Sequence, residues 1–432
     1  MYNVQQAADR AMELMSEKGA DKCSVSASFK ERREFNVDGG QFSLFRTLFD
    51  NSLFLTVIKD GKKGSIRINR FDEEAISEAV CECIAAADAG QADDAWDVAP
   101  KKENKKFESG CLTPDIERFF SRIRELMVDI GKRHKKILME QLIAEYAKTE
   151  TVYRNSNGVC FEENGGCYSA ELMFSAHEGE KASSFFGSVV VTDSLDKPFI
   201  ELGSVEKDLS DVEKQIDTSS PEGKFIGTAV FAPSALYEML YYALDNFAGG
   251  RSILDKTAVW IDKLGKRVAD ERLTVAFRPH AEGIVCGSGF TDDGFVSEDY
   301  DIIEKGTLKS FMLDLYFANK TGFSRAPNDS DNLVVEAGDV PLDEIVGGID
   351  RGIIVGRFSG GEPSGNGDFS GVAKNSFLIE NGRITTALSE TMINGNLADM
   401  LMNVRAISKE RVCDGNTILP TVAFDGITVS GK

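Results

Sequence analysis

Apolar residues recur at helical spacing near the start of the chain. Val4, Ala7, Ala8, Ala11, Met12 and Met15 mark a helix over residues 3–18. The period then shortens to two, so residues 23–29 read as a strand and residues 52–59 as another. Asp60-Gly61 and Gly64 turn the second strand into residues 65–69, a hairpin signal. Residues 72–87 return to helical spacing, with acidic residues in the first turn. Residues 91–110 are polar and rich in Lys, Asp and Glu, the pattern of an exposed connection. Thr113 caps a helix that runs to Gly131, whose stripe is Ile116, Phe119, Phe120, Ile123 and Met127. Residues 136–192 read as a strand meander, broken at Asn155-Ser156-Asn157-Gly158 and at Asn164-Gly165-Gly166.

Residues 193–223 hold a short helical piece and Ser219-Ser220-Pro221, and mark a boundary. Beyond it, residues 234–247 form a helix closed by Gly249-Gly250. Most of the remainder consists of short extended runs with Gly turns, the pattern of a barrel-like or multi-sheet domain. Within it, residues 377–380 predict a strand and Asn381-Gly382 a two-residue turn, followed by a second extended piece. Asn394-Gly395-Asn396 then leads into helical spacing at Leu397, Met400, Leu401 and Val404.

The chain has 432 residues, enough for two or three cored domains. Its 49 Lys and Arg against 70 Asp and Glu give a net charge of −21. That balance disfavours broad contact with nucleic acid, where phosphates must be neutralised. The first twenty residues lack the pattern of a secretory signal, and no run reaches the roughly 20 apolar residues a membrane helix needs. Eight scattered cysteines suit a reducing cytoplasm.

Candidate chemistry is sparse. The three histidines are His134, His177 and His280, and none lies three or four residues from another. No helix therefore presents paired imidazoles to a metal. His134, in Lys132-Arg133-His134-Lys135-Lys136, reads as a solvated basic helix end. His177 and His280 sit at turn-like segments. Cys81 and Cys83 point in different directions on a helix, which argues against a shared metal. Cys160 and Cys167 flank Asn164-Gly165-Gly166 and face each other if that segment is a hairpin. The glycine-rich residues 356–371 lack the Lys-Ser/Thr of a phosphate-binding loop and read as a flexible loop. Thr291-Asp292-Asp293-Gly294 is a turn with two carboxylates.

Taken in order, these parts resemble the TldD/PmbA (TldD/TldE) family, whose PmbA branch carries the older name of modulators of DNA gyrase. The resemblance rests on Asn155-Ser156-Asn157-Gly158, Gly289-Phe290-Thr291-Asp292-Asp293-Gly294 and Ile303-Glu304-Lys305-Gly306-Thr307-Leu308. Gly367-Asp368-Phe369-Ser370-Gly371, Ile379-Glu380-Asn381-Gly382-Arg383 and Asn394-Gly395-Asn396 complete it. It implies an α+β protein, with an α/β N-terminal domain over residues 1–200 and a β-rich, barrel-like C-terminal domain over residues 201–432. It also implies a two-subunit metallopeptidase. The TldD-type subunit carries H-E-x-x-x-H on a helix and a cysteine near its C-terminus, together holding zinc.

In this sequence Tyr241, Tyr242 and Asn246 stand where that motif's residues are expected, and residues 234–250 contain no histidine. Cys413 falls near the family's metal cysteine. The expectation is therefore a PmbA/TldE-type subunit with no catalytic residue, metal or cofactor of its own. Zinc is expected in a TldD-type partner, and unfolded or short peptides are the expected substrates. His280, Asp292, Asp293 and Asn394 are candidate cavity residues. For the isolated chain a homodimer is left open; a membrane partner is not expected. The competing expectation is a regulatory protein acting on gyrase or another complex. A metal-independent hydrolase using Cys413 or Cys286 with His280 has no diagnostic spacing behind it.

Overall fold

The computed structural model describes residues 2–100, 104–389 and 391–431. Its first sheet has eight strands: β1 (Lys22–Asp38), β2 (Gln41–Lys59), β3 (Lys62–Ile68), β4 (Lys105–Gly110), β5 (Ile137–Asn155), β6 (Cys160–Glu178), β7 (Lys181–Ala182) and β8 (Phe186–Thr192). The order is β3-β2-β1-β5-β6-β4, with β7 and β8 also on β6. Most pairs are antiparallel; β4 runs parallel to β6.

Strict alternation gives this sheet two unlike faces. Cys23, Val25, Ala27, Phe35 and Val37 of β1 share a face with Leu53, Leu55, Leu142, Ala144, Tyr168 and Leu172. Four helices cover that face. α1 (Val4–Glu17) and α2 (Glu73–Ala89) pack near β1–β3, while α3 (Ile116–Arg133) and α4 (Val205–Glu213) pack near β5, β6 and β8. Asn3, Asp72 and Asp115 cap the first three by accepting from backbone N–H groups. The opposite face carries Ser24, Ser26, Ser28, Lys30, Thr149, Thr151, Glu163 and Cys167.

The second sheet has fourteen strands between Thr218 and Ser430. Its hub is the strand Ile418–Ser430, which pairs with Lys224–Phe231, Leu333–Val335, Met392–Asn396 and Val404–Cys413. The largest apolar core lies here, around α5 (Pro233–Ala248) and the rings of Phe231, Phe247, Trp260, Phe311 and Phe424. Mixed helices and sheets make the chain an α+β protein, as expected.

Several local expectations are corrected. The strand expected at residues 23–29 continues to Asp38, and Gly39-Gly40 turn it into β2. Residues 91–110 are not simply an exposed connection. Ala95, Val98 and Ala99 are buried, and residues 105–110 form β4. The Asn155 and Asn157 amides hold the Val98–Ala99 carbonyls, a contact across more than fifty residues that local polarity does not reveal. Asn164-Gly165-Gly166 does not break the meander, because β6 runs through it. The glycines are required by close packing: a Cβ on Gly166 would lie 2.1 Å from the Cys111 carbonyl oxygen. Cys160 and Cys167 therefore sit on one strand and do not face each other. Residues 356–371 fold as two paired strands, Arg357–Gly360 and Asp368–Lys374, around a short loop. Asn394 and Gly395 lie in the strand Met392–Asn396, and Asn396 caps the helix Leu397–Met402.

His134 is the clearest reversal. It caps α3 but is 5% exposed, not solvated. Its Nδ1 lies 3.1 Å from Glu213 Oε2, and Glu206 Oε1 is 3.4 Å from Nε2. Both carboxylates come from the α4 region, which folds over the end of α3. His177 is at the end of β6, not in a turn, and its Nε2 lies 2.9 Å from the Ser175 hydroxyl.

α4 also buries Asp208, whose carboxylate accepts from the Ser188 and Ser204 hydroxyls at 2.6 and 2.7 Å. Burial pushes this carboxyl up to about 6, against the opposing effect of the two hydroxyls. A raised carboxyl favours the folded state while protonated. Its contribution is complete below about pH 4 and is lost as pH rises through about 6. The isosteric Asp208→Asn variant keeps an acceptor for the hydroxyls and removes the buried charge. We expect it to exceed the parent in stability by on the order of 2 kcal/mol at pH 7.5 and to match it near pH 4. Urea titrations at the two pH values check this; equal midpoints at pH 7.5 would refute it.

Candidate functional site

Pro233 starts α5 at a position where no N–H is needed. Ala235, Leu236, Met239, Leu240, Ala243, Leu244 and Phe247 then form its buried stripe. The other face carries Tyr237, Glu238, Tyr241, Tyr242 and Asp245. Tyr237 and Tyr241 stack with ring centroids 6.3 Å apart, the contact that i,i+4 spacing on a helix allows. Tyr241 is 52% exposed.

Glu238 is half-buried beneath this layer. Burial raises its carboxyl, while the Arg357 charge and a hydrogen bond from Tyr242 oppose the rise. Tyr242 is raised in turn by burial and by the negative charges of Glu238 and Glu362. The Arg357 guanidinium lies over the Phe185 ring, 4.5 Å from its centroid, and its buried Nε has no hydrogen-bond partner among the described residues. Burial lowers its affinity for its proton, and Glu238 restores part of it.

Two further segments border this helix face. Cys413 ends the strand Val404–Cys413, is exposed, and donates from Sγ to the Gly283 carbonyl at 3.3 Å. The next residue, Asp414, accepts from the Asn416 and Thr417 N–H groups and from the Thr417 hydroxyl, which fixes a tight turn. Tyr237 lies within electrostatic range of Asp331 and Asp414, which raise its phenol further after burial.

Zinc is the metal the family resemblance brings to mind, and the residues here do not fit it. Tyr242 is held as a neutral phenol, and Cys413 is engaged with a backbone carbonyl. Phenols and an amide are poor replacements for two imidazoles. Among the described residues no group of three or more His, Cys, Asp or Glu is placed to hold a metal ion.

The candidate cavity residues occupy different places. His280 is exposed; its N–H donates to Asp299 Oδ1 at 3.1 Å, and its Nε2 is 3.1 Å from the Ser297 carbonyl. Asp292 is exposed, and its N–H donates to Asp329. Asp293 is committed internally: it accepts from Arg325, from the Thr291 hydroxyl and from the Leu315 N–H. Asn394 lies on the second sheet, in register with Ser370 and Thr428. The grouping of Glu238, Tyr242 and Arg357 was missed by sequence reasoning. The i,i+4 spacing of Tyr237 and Tyr241 on a polar face was its one local signal; Arg357 had none.

Residues 223–431 match the PmbA/TldA metallopeptidase C-terminal domain. The chain is 24% identical to a metalloprotease PmbA homolog of Haemophilus influenzae, across 99% of this chain and 96% of that protein. The chain is thus similar to TldD/PmbA proteins along nearly its whole length. The metalloprotease PmbA of Escherichia coli is 23% identical over 98% of the chain and 96% of its own length. TldE of Thermococcus kodakarensis shares the fold, with a TM-score of 0.85 at 20% identity over 98% of this chain and 100% of that one. Both PmbA relatives bear the name of metalloproteases. No helix among the described residues is long and apolar enough to cross a membrane.

Proposed function

We propose that this chain is the metal-free, PmbA/TldE-type subunit of a two-subunit metallopeptidase, with zinc and the reacting water supplied by a TldD-type partner. The observation that carries the reading is the outer face of α5. At the positions matching the family's metal helix it presents Tyr241, Tyr242 and Asn246, while its core stripe is intact. A helix kept whole in its packing but stripped of imidazoles suits a wall better than a catalyst. In this reading the chain contributes cavity surface and interface, and the substrates are unfolded or short peptides entering as extended chain. Strand addition binds such peptides through their backbone, with little dependence on sequence.

The test mixes the purified chain with a TldD-type subunit from the same organism. Cleavage of an unstructured peptide and zinc per subunit are then measured. The expected result is chelator-sensitive cleavage by the mixture alone, with zinc in the partner. Tight zinc in this chain, or chelator-sensitive cleavage by it alone, would overturn the proposal. Binding to gyrase with no effect on the TldD-type subunit would favour a regulatory role instead.

A further inference from the structure

The polar face of the first sheet is covered near β6 by a loop of the second half, residues 278–289. Two contacts fix its register. Gly289 N–H donates to Glu163 Oε1 at 2.6 Å, and a Cβ on Gly289 would lie 2.3 Å from the Phe107 ring. Three residues earlier in the loop, Cys286 Sγ lies 2.9 Å from where a Gly110 Cβ would stand. Phe107 and Gly110 belong to β4, so the loop runs against β4 with Cys286 at its far end. Glu163 and Cys167 are four residues apart on β6 and therefore share the face beneath the loop. Gly110 is in register with Gly166, the residue before Cys167, so Cys167 and Cys286 are neighbours there as free thiols.

Their environment is unequal. Cys286 is held below the usual thiol range, chiefly because Cys167 donates to it; burial opposes this, and the Ser109 hydroxyl and Gly166 N–H add to it. Cys167 is pushed up, first by that same bond and then by burial. One thiol is thus prepared as the attacking thiolate, and its neighbour is positioned to follow. Both are half-buried, within reach of a small reagent. Cys286 also has a left-handed backbone, with φ of 56°, which a non-glycine residue adopts only where its surroundings hold it.

We propose that Cys167 and Cys286 are a thiol–disulfide exchange site that cross-links the two halves of the chain, with low-molecular-weight disulfides of the glutathione type as reagent. The Cys286 thiolate attacks one sulfur of the reagent and bonds to it; the S–S bond of the reagent breaks, and its other half leaves as a thiolate and takes up a proton. Cys167 then loses its proton and attacks the mixed disulfide at Cys286, releasing the second reagent thiol. Two protein thiols are oxidised and one reagent disulfide is reduced to two thiols. The new bond pins the loop that carries His280 and Gly283 to β6. It holds whether or not the chain pairs with a catalytic subunit.

The experiment treats the folded full chain with oxidised glutathione and maps peptides without reduction. The expected product is two hydrogens lighter, carries one Cys167–Cys286 peptide pair, melts at a higher temperature, and reverts with dithiothreitol. The closed loop is long (286 − 167 = 119 residues), the case in which a cross-link constrains the unfolded chain most. In Cys167→Ser, glutathione is expected to remain on Cys286. A wild-type map in which Cys286 pairs with Cys111, or in which only the exposed Cys81 and Cys413 are modified, would overturn the proposal. So would no reaction at all.

Discussion

Arg325→Met is expected to destabilise the protein by about 3–5 kcal/mol, the cost of leaving a buried carboxylate without its partner. Arg325 Nε donates to Asp293 Oδ2 at 2.8 Å, and both side chains are largely buried. The guanidinium also lies 4.0 Å from the Phe295 ring centroid and reaches the Thr291 hydroxyl. Burial pushes the Asp293 carboxyl up, but Arg325, Thr291 and the Leu315 N–H together hold it below the usual range. Asp293 in turn accepts from the start of the helix Leu315–Thr321, and its carbonyl oxygen accepts from Tyr153 of the first sheet at 3.4 Å. The double variant with Asp293→Leu removes both charges and should recover most of the loss. Urea midpoints of the parent, Arg325→Met, Asp293→Leu and the double variant decide it; an Arg325→Met protein within about 1 kcal/mol of the parent would show that the pair is not structural.

Gly415→Ala is the second large effect, expected at about 2–5 kcal/mol. Gly415 has φ of 90°, and a Cβ there would lie 1.9 Å from the Val191 carbonyl oxygen. The strain of that backbone costs about 1–2 kcal/mol for an L residue, and the forced displacement about 1–3 more. The displacement falls where the two halves meet, because Val191 N–H donates to Asp414 O and Val285 N–H donates to Gly415 O. Limited proteolysis should therefore open the chain near residues 193–223 and 278–289 before either sheet is cut. Unchanged cleavage and an unchanged melting temperature would refute the prediction.

The contrast between these two sites explains what the sequence disclosed. α1, α2, α3 and α5 were legible because each buries a continuous stripe, although α3 is capped by Asp115 and not by the expected Thr113. The order of turns in residues 289–308 and 367–396 carried the family resemblance. What stayed hidden depends on a neighbour remote in the chain. Asp293 looked like a turn carboxylate because Arg325 is thirty-two residues away. His134 looked solvated because Glu206 and Glu213 arrive from α4. Gly165-Gly166 looked like a break because the Cys111 carbonyl that demands small residues belongs to another segment. At the candidate site, the missing histidines were plain in the sequence, whereas Arg357 over Phe185 and beside Glu238 was not.

The hub position of the strand Ile418–Ser430 has a consequence for synthesis. Every strand it pairs with precedes it in the chain. During translation the first sheet has all its strands once residue 192 has emerged, and its last cover once α4 follows. The second sheet must wait with its edges open until residue 430 is made. For that interval Lys224–Phe231 and Leu333–Val335 expose backbone that nothing yet satisfies, the condition under which nascent chains aggregate or recruit chaperones. A ribosome stalled shortly before residue 418 should therefore hold a folded first half and a second half open to protease.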